Sequence, residues 1–147
     1  MKKWLFFLLF AIALLSIVAC NKYEYGPSVS LKSKKSRISK NWIVEKALIN
    51  GVEQTTLPRY EFLIEKSGEV EKYDTLVNSV GTDSIVIKSG LWEFDRNAEN
   101  LILLFANNFG VQEAHILKIL KLTNDEFWYE ERDSFDLVEI HLAEKIL

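Results

Sequence analysis

The side chains of this sequence best suited to chemistry are few: one cysteine, Cys20, two histidines, His115 and His141, and an acidic cluster from Glu126 to Asp136. So few histidines and cysteines exclude a zinc ribbon or finger, and a lone cysteine excludes an internal disulfide framework. His115 and His141 lie 26 residues apart. With Glu139 or Asp136 they would form a metal site only if folding brought them to one face. Alternation around His141 points it outward, which favours two solvated or hydrogen-bonded histidines, and no metal is expected. Glu126, Glu130, Glu131, Asp133 and Asp136 lack the glycine-punctuated spacing of a calcium loop and read as a solvated acidic face. The chain has no G-x-S-x-G elbow, Gly-rich phosphate loop, H-E-x-x-H or C-x-x-C. Carboxylates paired for glycoside hydrolysis are recognised by their separation in space, which sequence does not give. No catalytic residue and no cofactor is assigned, and the expectation is a protein that is not an enzyme.

Cys20 differs from the other candidates because of what precedes it. Met1-Lys2-Lys3 opens the chain, and fifteen of the sixteen residues from Trp4 to Ala19 are apolar, Ser16 being the exception. Sixteen helical residues span roughly 24 Å, short of the ~20 residues a membrane-spanning helix needs. A positive start, a short apolar stretch and a small residue at its end read as a secretory signal over residues 1–19. Ile17-Val18-Ala19-Cys20 resembles the lipobox of bacterial lipoproteins. The resemblance implies cleavage before Cys20, lipidation of Cys20, and attachment to a membrane through its acyl chains. Each buried CH₂ contributes ~0.8 kcal/mol, so one chain anchors weakly and several hold firmly. An uncleaved anchor, or an ordinary signal ending beside a cysteine, are the alternatives. Asn21 stands where an aspartate is often associated with inner-membrane retention, so the expected location is the outer membrane.

The remainder divides by charge. Residues 20–41 form a basic tether: Lys22, Lys32, Lys34, Lys35, Arg37 and Lys40 stand against Glu24 alone, and Gly26-Pro27 punctuates the stretch. Its basic run reads either as a solvated linker or as a patch drawn to lipid phosphates. Residues 42–147 hold ten basic and twenty acidic groups. An acidic domain behind an export signal argues against nucleic acid as a partner. Leu31, Ile38 and Trp42, spaced seven and four apart, predict a short helix covering one end of that domain.

Short apolar-rich runs separated by turn signals predict an all-β domain of eight strands. They are Trp42–Ile49, Tyr60–Glu65, Glu69–Val77, Ile85–Asp95, Leu101–Ala106, Val111–Leu122, Glu126–Arg132 and Asp136–Leu142. Asn50-Gly51 is a strong hairpin signal because both turn positions favour positive φ. Tyr60, Phe62 and Ile64 share one face, as do Val138, Ile140 and Leu142, while Gly90 marks a place for a break or bulge. His115–Leu122 also suits a helix but is assigned as strand. No connection is long enough for a crossover helix, so the topology expected is antiparallel and up-and-down. Eight such strands suggest a closed barrel, which leaves no edge.

The lipobox, the Trp42 strand followed by Asn50-Gly51-Val52, Tyr60-Glu61-Phe62 before Ser67-Gly68, Gly90-Leu91-Trp92-Glu93-Phe94, and Ile119-Leu120-Lys121-Leu122-Thr123 together resemble the small lipocalin-like lipoproteins of diderm bacteria. The likeness covers residues 38–142 and implies a lipocalin-like barrel. The glycine that stands two before the opening tryptophan in the larger lipocalin superfamily is Lys40 here. Trp42, Tyr60, Phe62, Trp92, Phe94, Phe105 and Trp128 are the candidate ligand-binding residues, and Phe127 joins them on the strands. An eight-stranded barrel is wide enough either to be filled by such side chains or to hold one small ligand. Two functions follow. One is a non-catalytic envelope lipoprotein whose barrel serves as a structural or interaction module, with an envelope protein as partner. The other is a barrel that binds a small apolar ligand.

Overall fold

The computed structural model describes residues 32–77, 83–106 and 112–146. The signal segment, Cys20 and the tether up to residue 31 lie outside the described residues, as do residues 78–82 and 107–111. Among the described residues one helical turn, α1 (Lys34–Ile38), precedes nine strands: β1 (Asn41–Ile49), β2 (Val52–Glu53), β3 (Tyr60–Ile64), β4 (Glu69–Val77), β5 (Asp83–Phe94), β6 (Asn100–Ala106), β7 (Gln112–Leu122), β8 (Glu126–Asp133) and β9 (Asp136–Glu144). β1 and β3 to β9 run in antiparallel sequence order, and pairing of β9 with β1 closes them into an eight-stranded barrel. All eight expected strands are present. The ambiguous run His115–Leu122 is strand within β7. β2 was not expected; it is two residues long and pairs only with β1.

Local chemistry accounts for the turns and bends. Asn50 (φ 51°) and Gly51 (φ 80°) make the two-residue turn between β1 and β2. The Asn50 side chain also pins β9, accepting from the Leu137 amide at 2.9 Å and donating to Asp136 at 2.7 Å. β-Bulges between Val44 and Lys46 and between Ile119 and Lys121 switch the phase of alternation. Trp42 and Val44 thus face inward before one bulge and Ala47 after it. Bulges of this kind bend strands and help a sheet curl shut. Gly90 is different from the break or bulge anticipated there, because β5 runs straight through it. A Cβ at that position would meet the Leu104 carbonyl oxygen at 2.2 Å and the Phe105 ring at 2.8 Å. The glycine allows β5 and β6 to approach closely.

The two ends of the barrel differ. At the end where β1 begins, Trp42, Leu101, Leu122, Phe127 and Leu142 are buried, and α1 covers them as predicted. Ile38 of α1 is fully buried; its carbonyl accepts from the Trp42 indole N–H at 2.8 Å. Arg37 is also buried and donates to the Leu122 carbonyl at 2.5 Å. Ser33 caps the helix by accepting from the Ser36 amide at 3.1 Å. This end is closed. At the other end no described element crosses the lumen.

Candidate binding site

At that end, left uncovered by the described residues, the inward-facing side chains of seven strands enclose a cavity of about 470 Å³. Its floor is apolar. Phe62, Leu103, Phe105, Leu117 and Ile140 are buried there, with Val138 half-buried beside them. Above the floor the same alternation places polar groups: Tyr60 on β3, Lys72 on β4, Lys88 on β5, His115 on β7, and Tyr129 and Glu131 on β8. Pro58, Arg132 and Asp133 complete the rim.

The polar collar is wired in pairs. The Tyr60 and Tyr129 hydroxyls lie 2.5 Å apart. Burial pushes both phenols well above their ordinary value; the hydrogen bond they share acts in opposite senses, raising Tyr129 and lowering Tyr60. Both are therefore neutral near pH 7, and two hydroxyls sharing one hydrogen bond leave one proton to donate into the cavity. His115 Nδ1 lies 2.8 Å from Glu131. Donating to the Glu131 carboxylate raises the imidazole above its ordinary value, against the opposing effect of burial. Lys72 reaches Asp74 at 2.9 Å and lies 4.6 Å from the centre of the Tyr60 ring. Lys88 is exposed to solvent at the rim and makes no ion pair with any described residue. The arrangement offers hydrogen-bond donors and cations above an apolar floor.

Comparison of the sequence with protein-family models and with curated proteins finds no match.

The candidate aromatic residues separate into three groups. Tyr60, Phe62 and Phe105 line the cavity. Trp42, Trp92 and Phe94 fill the interior beneath it: Trp42 packs edge-on to Phe127 at 5.9 Å, and Trp92 to Phe94 at 5.5 Å. Trp128 alternates with the buried Phe127 and Tyr129 and so faces outward, stacked on His141 with ring centres 3.9 Å apart. The barrel is thus filled at one end and hollow at the other. His141 faces outward as anticipated, held by Glu139 at 2.6 Å, whereas His115 faces inward. The two never meet, and no group of three His, Cys, Asp or Glu among the described residues is arranged to hold a metal. The acidic cluster is divided between the faces. Glu126 pairs with Lys121 at 2.6 Å and Glu130 with Lys118 at 3.2 Å on the outside, while Glu131 points inward.

Sequence reasoning missed Lys72, Lys88, Tyr129 and Glu131. The signal was present in the phase of alternation. Lys72 follows Val70 by two, and Tyr129 and Glu131 follow Phe127 by two and four. β4 is polar because its inward positions supply the collar.

Proposed function

We propose that this chain is a lipid-anchored lipoprotein of the outer membrane whose lipocalin-like barrel is a non-catalytic binding module, taking one small molecule into its open end. The observation that carries this reading is the cavity of about 470 Å³ with its apolar floor and polar collar. Ligand pockets are typically ~300–1,000 Å³, mostly apolar, with a few polar groups that fix orientation. The ligand suggested is amphipathic rather than wholly apolar, since one end of it would meet hydroxyls and ammonium groups.

Equilibrium dialysis of naphthalene-2-sulfonamide and naphthalene-2-sulfonate against the full chain in a zwitterionic detergent, with a detergent-only control, tests the pocket. At least one probe is expected to bind saturably at one site per chain. Val138→Trp, which fills the cavity from β9, should abolish that binding. No saturable binding by either probe, or binding that persists in the filled variant, overturns the reading. The anchor is tested separately. Cys20→Ser should block acylation and leave an unprocessed precursor, read by mass; an unchanged mass and unchanged membrane retention contradict it.

The module as an interaction surface has one observation of its own. On the outer wall Leu91 pairs with Leu104 and Ile102 with Ile116, and Leu91 and Ile116 are more than half exposed, at 56% and 60%. Contiguous exposed aliphatic side chains mark contact surfaces. Self-association seen by sedimentation velocity and lost in Leu91→Glu/Ile116→Glu supports this second reading; a monomer at high concentration counts against it.

A further inference from the structure

Lys72 and Lys88 are direct cross-strand partners on β4 and β5, and both line the cavity. Directly opposed positions place Cβ atoms about 4.5–5.5 Å apart, and like charges there are destabilising. The neighbouring carboxylates only partly offset this. Asp74 is engaged by Lys72 at 2.9 Å, and Glu131 by His115 at 2.8 Å. Lys88 has no such partner among the described residues. Beside the lysines stand the Tyr60 and Tyr129 hydroxyls, which share one hydrogen bond and retain a proton to donate. Lys72 itself lies over the Tyr60 ring, so ammonium and phenol converge on one side of the collar. Below them the floor of Phe62, Leu103 and Phe105 accepts only apolar groups.

We infer that the open end selects molecules with a compact apolar body ending in one anionic group, the anion seated between Lys72 and Lys88 and the body on the Phe62–Phe105 floor. The inference rests on the binding reading above and narrows its ligand class. An anion at this place relieves the repulsion between the two ammonium groups and gains charge-assisted hydrogen bonds, which are about twice as strong as neutral ones. A neutral molecule of the same shape gains only the floor.

The two naphthalene probes differ in this one property, a sulfonate against a neutral sulfonamide on the same rings. In equilibrium dialysis with the full chain, the sulfonate is expected to bind about tenfold more tightly. That ratio should fall towards one in Lys88→Gln and invert in Lys88→Glu. Lys88 is exposed, so both variants are expected to fold, which far-ultraviolet circular dichroism checks. Raising the salt concentration should weaken only the sulfonate. Saturable binding of both probes with equal affinity, or a tenfold ratio that survives Lys88→Gln, overturns the anion preference and leaves the binding reading standing. Failure of both probes to bind removes the binding reading itself. Where the sulfonate does bind, displacement by octanoate assigns a free organic acid as the natural class. Displacement instead by phosphatidylglycerol vesicles assigns a lipid headgroup.

Discussion

The closed and open halves of the barrel are built on one alternation and filled with opposite chemistry. Along β8, Phe127 is fully buried among Trp42 and its neighbours, whereas Tyr129 and Glu131, two and four residues on, face a water-accessible cavity. Along β7 the order reverses with strand direction: His115 is in the collar, Leu117 on the floor, and Leu122 in the closed core. Antiparallel pairing runs through both halves, so the sheet does not decide which side chains it presents. What the closed half contributes is stability, since its aromatic and aliphatic side chains are out of water and even its indole N–H is paired. The open half retains charges at inward positions, which is tolerable only because the lumen there opens to solvent.

The largest expected effect lies at the closed end. Trp42→Ala removes a fully buried ring in edge-on contact with Phe127 and leaves the Ile38 carbonyl without its donor. A loss of about 3–5 kcal/mol in denaturant unfolding is expected. Lys88→Gln, in the other half, should stay within about 0.5 kcal/mol of the parent. Comparable costs for the two would break the contrast between the halves. Gly90→Ala comes next, at the height where floor meets core. Its methyl group would press on the backbone of Leu104, which cannot rotate away, so a cost of about 1–3 kcal/mol is expected from the displaced β5–β6 pairing. An unchanged midpoint would mean that the two strands separate there without penalty.

The contrast was half legible in the sequence. Clean alternation in Tyr60–Ile64 and Val138–Leu142, turn dipeptides such as Asn50-Gly51, and short connections gave eight antiparallel strands. They gave the closed barrel as well, since all of these are local signals. The two bulges were not legible, because a bulge reflects the demand of closure rather than the preference of Glu45 or Leu120. Gly90 announced itself as special, but whether it bends a strand or admits a neighbour depends on Leu104 and Phe105, which are local only after folding. The site was harder still. Seven aromatic residues looked equivalent along the chain, yet depth in the barrel sends Trp42 to the core and Phe105 to the cavity, while alternation with Phe127 and Tyr129 turns Trp128 outside. Depth depends on strand stagger, which composition does not encode. Glu131 reads in the sequence as part of a solvated acidic face because charged residues usually are solvated, and nothing local singles out Lys72 or Lys88.

Within the open half the two hydroxyls are not equivalent, and their difference sharpens the boundary with the core. Tyr129 is 3% exposed, while Tyr60 is only half-buried. Tyr60→Phe leaves a buried hydroxyl without its partner and should cost about 1–3 kcal/mol. Tyr129→Phe leaves a hydroxyl that turns to water, and about 1 kcal/mol is expected. The reverse order, measured by urea unfolding, would place the water boundary on the other side of the pair.

The smallest effect is the pH dependence of the His115–Glu131 pair. Glu131 raises the folded imidazole above its ordinary value of 6.5. A group raised on folding contributes its full stabilisation below the unfolded value, and that contribution is lost as pH rises through the higher folded value. Stability of the parent relative to His115→Gln should therefore be greatest below about pH 6.5 and decline above it. The ring is substantially exposed, so the change should stay below about 1 kcal/mol. Urea midpoints for the two proteins between pH 5.5 and 8.5 measure it, and the imidazole titration followed by NMR should show a midpoint above the ordinary value. Parallel stability profiles would mean that water at the rim already screens the pair. A decline larger than that between two buried groups would instead move His115 and Glu131 into the core half, and with them the level at which the barrel stops being solid.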